Sequence, residues 1–203
     1  MSQLRPDLAV ISNWIKPGSR ILDLGCGDGM LFAYLRECRQ ITGYGVEIDD
    51  FKLAACVRNG VPVIQQDLDH GLKEFADQAF DYVILSLTLQ ATYYPVQLLL
   101  EMLRVGREVI VTFPNFGHWH SRWQIAVKGH MPVTDALPHQ WYNTPNVRLC
   151  TIQDFEKLCR DHAITVLERK VLDDQHRESW LNVLAPNLFG EIALYRCARL
   201  PLG

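Results

Sequence analysis

The chain has 203 residues, 48% of them hydrophobic and 21% charged, with a formal net charge of −3. This is the composition and length of one globular domain, and it excludes disordered and fibrous classes. The slight negative charge and the lack of a Lys/Arg-rich block exclude a nucleic-acid binder held by phosphate neutralisation. No apolar stretch approaches the ~20 residues that span a bilayer. The Met1-Ser2-Gln3-Leu4 start carries no cleavable apolar segment, so a cytoplasmic domain that does not bind membranes is expected.

In chain order, a helix is predicted over Pro6–Ile15 and ended by Lys16-Pro17-Gly18. Short β-branched runs follow at Arg20–Leu24, Thr42–Ile48, Val61–Gln65, Phe80–Leu85 and Val109–Phe113. Between them lie stretches with helical spacing of apolar residues, at Met30–Cys38, Asp50–Arg58 and Pro95–Arg104. This alternation predicts βαβ units: an α/β domain with a mainly parallel sheet and helices on both faces. Arg104 to Arg107, the most basic tract, reads as a solvated helix end. The rhythm breaks from Pro114 to Arg148, predicted to be an irregular insertion serving as a functional loop or lid. A helix over Ile152–His162 and strands over Ile164–Val171 and Glu191–Arg199 complete the single domain. A polar, aromatic-bearing connection is predicted from Asp173 to Asn187.

None of the six cysteines, Cys26, Cys38, Cys56, Cys150, Cys159 and Cys197, forms a Cys-x-x-Cys pair. Zinc-ribbon and thioredoxin-like sites are therefore excluded, and reduced thiols are expected. His118-x-His120 lacks a supporting ligand cluster, so no metal site is expected.

The most informative tract is Ile21-Leu22-Asp23-Leu24-Gly25-Cys26-Gly27-Asp28-Gly29. An apolar strand runs into three alternating glycines and then a helix. Glycine permits the sharp turn and lets a ligand approach the backbone. The helix start offers N–H groups and partial positive charge. Glu47, ending the second strand, is placed to accept from ribose hydroxyls, and Asp67, after the third, from an adenine amino group. A dinucleotide is the competing ligand. Its fingerprint is Gly-x-Gly-x-x-Gly, whereas this tract reads Gly-x-Gly-x-Gly. Asp23, two residues before the first glycine, suits an ammonium group better than a pyrophosphate, which favours S-adenosylmethionine.

Asp23-Leu-Gly-Cys-Gly-Asp-Gly, Glu47 and Asp67 together resemble the class I S-adenosylmethionine-dependent methyltransferases. Over nearly the whole chain, Arg5 to about Arg199, the sequence resembles the MetW (methionine biosynthesis protein W) family. The general tracts are ILDLGCGDG from Ile21, YGVEID from Tyr44, FDYVILS from Phe80 and EMLRVG from Glu101. More diagnostic are FPNFGHW from Phe113, MPVT from Met131 and LPHQWYNTPN from Leu137. The resemblance implies a seven-stranded Rossmann-like sheet with a reversed last strand, binding S-adenosylmethionine or S-adenosylhomocysteine. It places Asp23, Gly25, Cys26 and Gly27 at the methionine end, Glu47 on the ribose, Ile48, Asp67 and Leu68 around the adenine, and Ser86 beside the methionine moiety. Where the family tract reads Ser-Gln-Thr-Leu-Gln, this chain has Ser86-Leu87-Thr88-Leu89-Gln90.

The family setting implies a homoserine O-acyltransferase as partner, with this chain as accessory or regulatory subunit in methionine synthesis. The alternative is an active methyltransferase on a small molecule. His118, His120, His139 and Tyr142 could each serve as a base, but spacing distinguishes none, so no catalytic residue is assigned. The aromatics of the 114–148 insertion, among them Trp119, Trp123, Trp141 and Tyr142, suit either a lid or a protein contact.

Overall fold

The computed structural model describes residues 6–173 and 179–199. Seven strands form one sheet: β1 (Arg20–Leu24), β2 (Thr42–Glu47), β3 (Val63–Gln65), β4 (Phe80–Ser86), β5 (Gly106–Pro114), β6 (Thr165–Leu172) and β7 (Ile192–Ala198). Their spatial order is β3-β2-β1-β4-β5-β7-β6. The first five pair in parallel, while β7 runs antiparallel to both β5 and β6. The parallel sheet and reversed last strand match the expectation.

Alternation along the strands divides the core between two faces, because successive side chains point to opposite sides of a sheet. Leu22, Leu24, Val83, Leu85, Val109, Val111 and Phe113 pack against α4 (Pro95–Val105) and α6 (Ile152–Asp161). Ile21, Tyr82, Ile84 and Ile110 pack against α1 (Pro6–Trp14), α2 (Met30–Arg39) and α3 (Asp50–Arg58). Both faces are thus covered, as a parallel sheet requires. Asp49 caps α3 by accepting from the N–H groups of Phe51 and Lys52, and Thr151 with Asp154 forms a capping box at α6.

Three expectations change. Arg104 is no solvated helix end. Its guanidinium donates to the carbonyls of Leu72 and Phe75 and to the carboxylates of Glu101 and Asp77, clasping the β3–β4 connection onto α4. The 114–148 insertion is not irregular throughout, since it carries α5 (Trp119–Trp123) and a π-helical turn over Gln124–Lys128. Two further short helices occur where a polar connection was expected, α7 (Trp180–Leu184) inside that segment and α8 (Pro186–Phe189) starting in it and running two residues past its end.

The root of the insertion is fastened by Asn115, which is buried at the end of β5. Its amide donates to the carbonyls of Asn187 and Gly190, and its Oδ1 accepts from the N–H groups of Gly117 and Ile152. One side chain therefore joins β5, α6 and the α8 turn.

Candidate functional site

The strand order reverses direction at β1, whose neighbours are β2 on one side and β4 on the other. In open α/β sheets ligands bind at the carboxyl ends of the strands at such a switch point. A cleft of about 360 Å³ opens there. Its walls include Gly25, Glu47, Ile48, Asp67 and Leu68, five of the sequence-predicted residues, together with Asp49, Lys52, Gln66, Leu87 and Thr88.

The glycine loop shapes the floor. Gly25, Gly27 and Gly29 all have left-handed backbones, with φ of +64°, +63° and +78°. Gly25 also needs its missing side chain, since a Cβ there would lie 2.6 Å from Cγ2 of Thr88. Asp28 Oδ1 accepts from the N–H of Met30 and so takes up one of the free donors at the start of α2.

Glu47 is buried at the tip of β2 and organises the loop. Its Oε2 accepts from the N–H of Gly27 at 2.9 Å, and its Oε1 accepts from Ile48 at 2.9 Å and Asp49 at 3.1 Å. A carboxylate has about four lone-pair positions, so one position, on Oε2, is left for a hydroxyl donor from the cleft. The sequence pointed to the ribose; it gave no sign of the three backbone N–H groups.

Asp23 lies on β1, two residues before Gly25, and is not part of the cleft wall. It is 2% exposed, and its Oδ2 has no hydrogen-bond partner among the described residues. Burial, reinforced by the neighbouring Glu47 charge, pushes its carboxyl up to about 7. An unpartnered buried carboxylate is costly unless a cation meets it.

The other predicted residues lie off the cleft wall. Cys26 directs its thiol behind the loop, 3.7 Å from the Cys56 sulfur, while the Cys56 thiol bonds the carbonyl of Gly27. Burial and the Asp23 charge push the Cys26 thiol far above its usual range. Gly27 contributes its N–H to Glu47. Ser86 Oγ pairs with Thr112 Oγ1 at 3.4 Å. Asp67, by contrast on the cleft wall, uses Oδ1 to hold the N–H of Asp69, and its Oδ2 lies 3.5 Å from Nδ1 of His70.

Two features go beyond the sequence reading, the left-handed backbone of Leu87 and the reach of Pro145 and Asn146 into the cleft. Leu87 lines the cleft with φ +51°, a conformation that costs a non-glycine residue about 1–2 kcal/mol. Pro145 and Asn146, at the far end of the insertion, also reach the cleft. They are held there because Val147 and Arg148 donate their N–H groups to the carbonyl of Gln90. Asn146 borders a second, smaller cavity of about 40 Å³, bounded by Phe116, Leu137, His139 and Thr144.

Strand order, reversed final strand and glycine-floored cleft define the class: the Rossmann-like fold of the S-adenosylmethionine-dependent methyltransferases. The fold is similar to a SAM-dependent methyltransferase from Archaeoglobus fulgidus, with a TM-score of 0.70 and 15% identity, covering 96% of this chain and 92% of that one. It is also similar to the [4+2]-cyclase SpnF, with a TM-score of 0.67 and 18% identity over 98% of this chain and 81% of that one. The family model for methionine biosynthesis protein MetW matches residues 5–197, and the chain belongs to that family. It is 43% identical over 179 residues to a bifunctional methionine biosynthesis protein MetXA/MetW of Rhodopirellula baltica. That alignment covers 84% of this chain and 29% of the relative, so this chain spans less than a third of that protein.

Proposed function

We propose that this protein binds S-adenosylmethionine or S-adenosylhomocysteine in the Glu47 cleft and acts in methionine synthesis as an accessory subunit of a homoserine O-acyltransferase. The observation that carries the ligand reading is the buried carboxylate of Asp23, its Oδ2 without a partner among the described residues, on the strand that leads into the glycine-floored cleft. A neutral or anionic ligand would leave Oδ2 uncompensated, whereas the ammonium of an amino-acid moiety would answer it. The cleft volume falls within the range of small-molecule sites.

In this reading the backbone of Gly25, Cys26 and Gly27 wraps the methionine end and Ser86 stands near it. Glu47 takes one ribose hydroxyl on Oε2. Ile48 and Leu68 bracket the adenine, whose amino group donates to Asp67. Titration calorimetry with both nucleosides tests this, with saturable one-to-one binding expected. Heat-free titration with both would overturn it.

The partner reading is supported by the Rhodopirellula baltica relative, in which MetXA and MetW are parts of one bifunctional protein. Mixing this chain with the acyltransferase should change the acyltransferase rate in a manner that depends on the nucleoside. Unaltered kinetics at every nucleoside concentration would reject it.

One observation favours a second reading, an active methyltransferase. The small cavity meets the cleft at Asn146, and His139, alone among the four candidate bases, lines it. An acceptor seated there would have a base beside it. Transfer of labelled methyl to a cell-extract metabolite, lost in His139→Ala, would support this reading.

A further inference from the structure

The wall of the cleft is far more acidic than the protein around it. Glu47, Asp49, Asp67 and Asp69 line it against one cation, Lys52. That is a net −3 on a single cleft, equal to the formal net charge of the whole chain. Among the described residues none of the four carboxylates pairs with a lysine or arginine. Their partners are mostly backbone N–H groups. Asp49 holds those of Phe51 and Lys52, Asp67 that of Asp69, and Asp69 those of Tyr93 and Tyr94, while Glu47 holds three. Such donors fill lone pairs and bring no net charge, so the charge of the wall stays uncancelled.

The surroundings do not restore the balance. Asp50 and Glu74 stand behind the wall, bonded by Gln65 and Gln66. Lys73 lies in the pocket beyond Leu68 and Asp69, together with Glu101. Arg148 turns its guanidinium to the carbonyl of Tyr93.

Uncancelled charge acts on a ligand through the ligand's own charge. S-adenosylmethionine carries a sulfonium, an ammonium and a carboxylate and is a net cation. S-adenosylhomocysteine has a neutral thioether in place of the sulfonium and is a zwitterion. The ammonium that answers Asp23 is common to both, so Asp23 does not separate them. The sulfonium does. A cleft of about 360 Å³ is about 9 Å across if round, so the sulfur lies within about one Debye length of the wall at ordinary salt. At that range, in water, one unit charge changes the affinity of another about twofold, and three compound to about tenfold.

Resting on the nucleoside reading above, we propose that the cleft selects by charge, preferring S-adenosylmethionine to S-adenosylhomocysteine about tenfold. An accessory subunit with this preference answers to the methylated nucleoside and largely ignores the demethylated one.

Calorimetry at pH 7 compares both nucleosides with sinefungin, in which a carbon bearing a cationic amine replaces the methylated sulfur. In wild type both cations should bind about tenfold more tightly than S-adenosylhomocysteine in about 20 mM salt, and less than about twofold more tightly in about 500 mM. Asp49→Asn/Asp69→Asn removes two charges yet keeps an oxygen for the N–H groups, and should cut the preference to about twofold. Lys52→Gln, at an exposed position of α3, works the other way and should roughly double it. Equal wild-type affinities for the three ligands overturn charge selection and leave the nucleoside reading standing. Absence of binding by all three overturns both. If sinefungin only matches S-adenosylhomocysteine, the preference belongs to contacts with the methyl group. If salt and Lys52→Gln leave the preference unmoved, it does not come from the wall. Either result overturns charge selection.

Discussion

Oε2 of Glu47 and the N–H of Gly27 meet at 2.9 Å, tying the tip of β2 to the glycine loop of β1. The same carboxylate holds Ile48 and Asp49, so Glu47 is a fold-organising residue as well as a cleft wall. Glu47→Ala strands three backbone donors and should lose about 3 kcal/mol of stability. Glu47→Gln keeps an oxygen for Ile48 and Asp49 and should lose about half that. In both variants nucleoside affinity should fall at least about tenfold, the effect of one charge-assisted hydrogen bond. Urea melts and calorimetry separate the two effects. Stability lost with affinity retained would show that Glu47 never touches the ligand.

Gly25 and Gly27 share a left-handed backbone yet differ in surroundings. A Cβ at Gly27 meets open space, whereas one at Gly25 strikes Thr88. Gly27→Ala should therefore lose only the conformational strain, about 1–2 kcal/mol. Gly25→Ala adds a clash and should lose about 3 kcal/mol or more, a drop of roughly 6–12 °C at this chain length. Thermal melts decide it, and equal losses would refute the difference in packing.

Asn115 offers a test of the insertion's root. Asn115→Ala leaves the Gly190 carbonyl and the Gly117 N–H without this partner inside the protein. A loss of about 2–4 kcal/mol is expected, since each buried group deprived of its partner costs about 1–3 kcal/mol. Hydrogen exchange should quicken first in α5, which follows directly on the turn that Asn115 holds. Protection lost evenly across the sheet would instead make Asn115 a general core residue.

The sheet was legible because β1, β4 and β5 bury both faces and so read as near-continuous apolar runs with helical periods between them. β1 keeps the predicted bounds and β4 gains only Ser86, while β5 is longer at both ends. It starts at Gly106 rather than Val109, because the edges of a pairing register are set by neighbouring strands. The cleft was legible where a residue type is itself the signal: glycines at positive φ, acids ending strands. Helix α5 was not. Its buried side is polar and its exposed side aromatic, so the usual periodic signal is reversed. The left-handed backbone of Leu87 escaped for a related reason, since leucine does not advertise it. Pro145 and Asn146 reach the cleft only through the long-range bonds to Gln90, which no local pattern encodes.

Asp23 makes the site sensitive to pH. Its carboxyl titrates near 7 in the free folded protein, because burial and then the Glu47 charge oppose ionisation, against about 4 in an unfolded chain. Between those values the folded state holds the proton and the unfolded state does not. Asp23 therefore lowers stability as pH rises from about 4 to 7 and no further above that range. A ligand ammonium reverses the preference by favouring the ionised form. Nucleoside binding should thus tighten as pH rises through 7 and release about half a proton per site at pH 7. Calorimetry in two buffers of different ionisation heat counts that proton, and urea melts at pH 5, 6 and 8 follow the stability. Asp23→Asn should flatten both dependences, leaving the variant relatively more stable at pH 8 than at pH 5 when each is compared with wild type. Proton-silent binding by wild type would mean that Asp23 does not face the ammonium, and the choice of S-adenosylmethionine over a dinucleotide would lose its electrostatic basis.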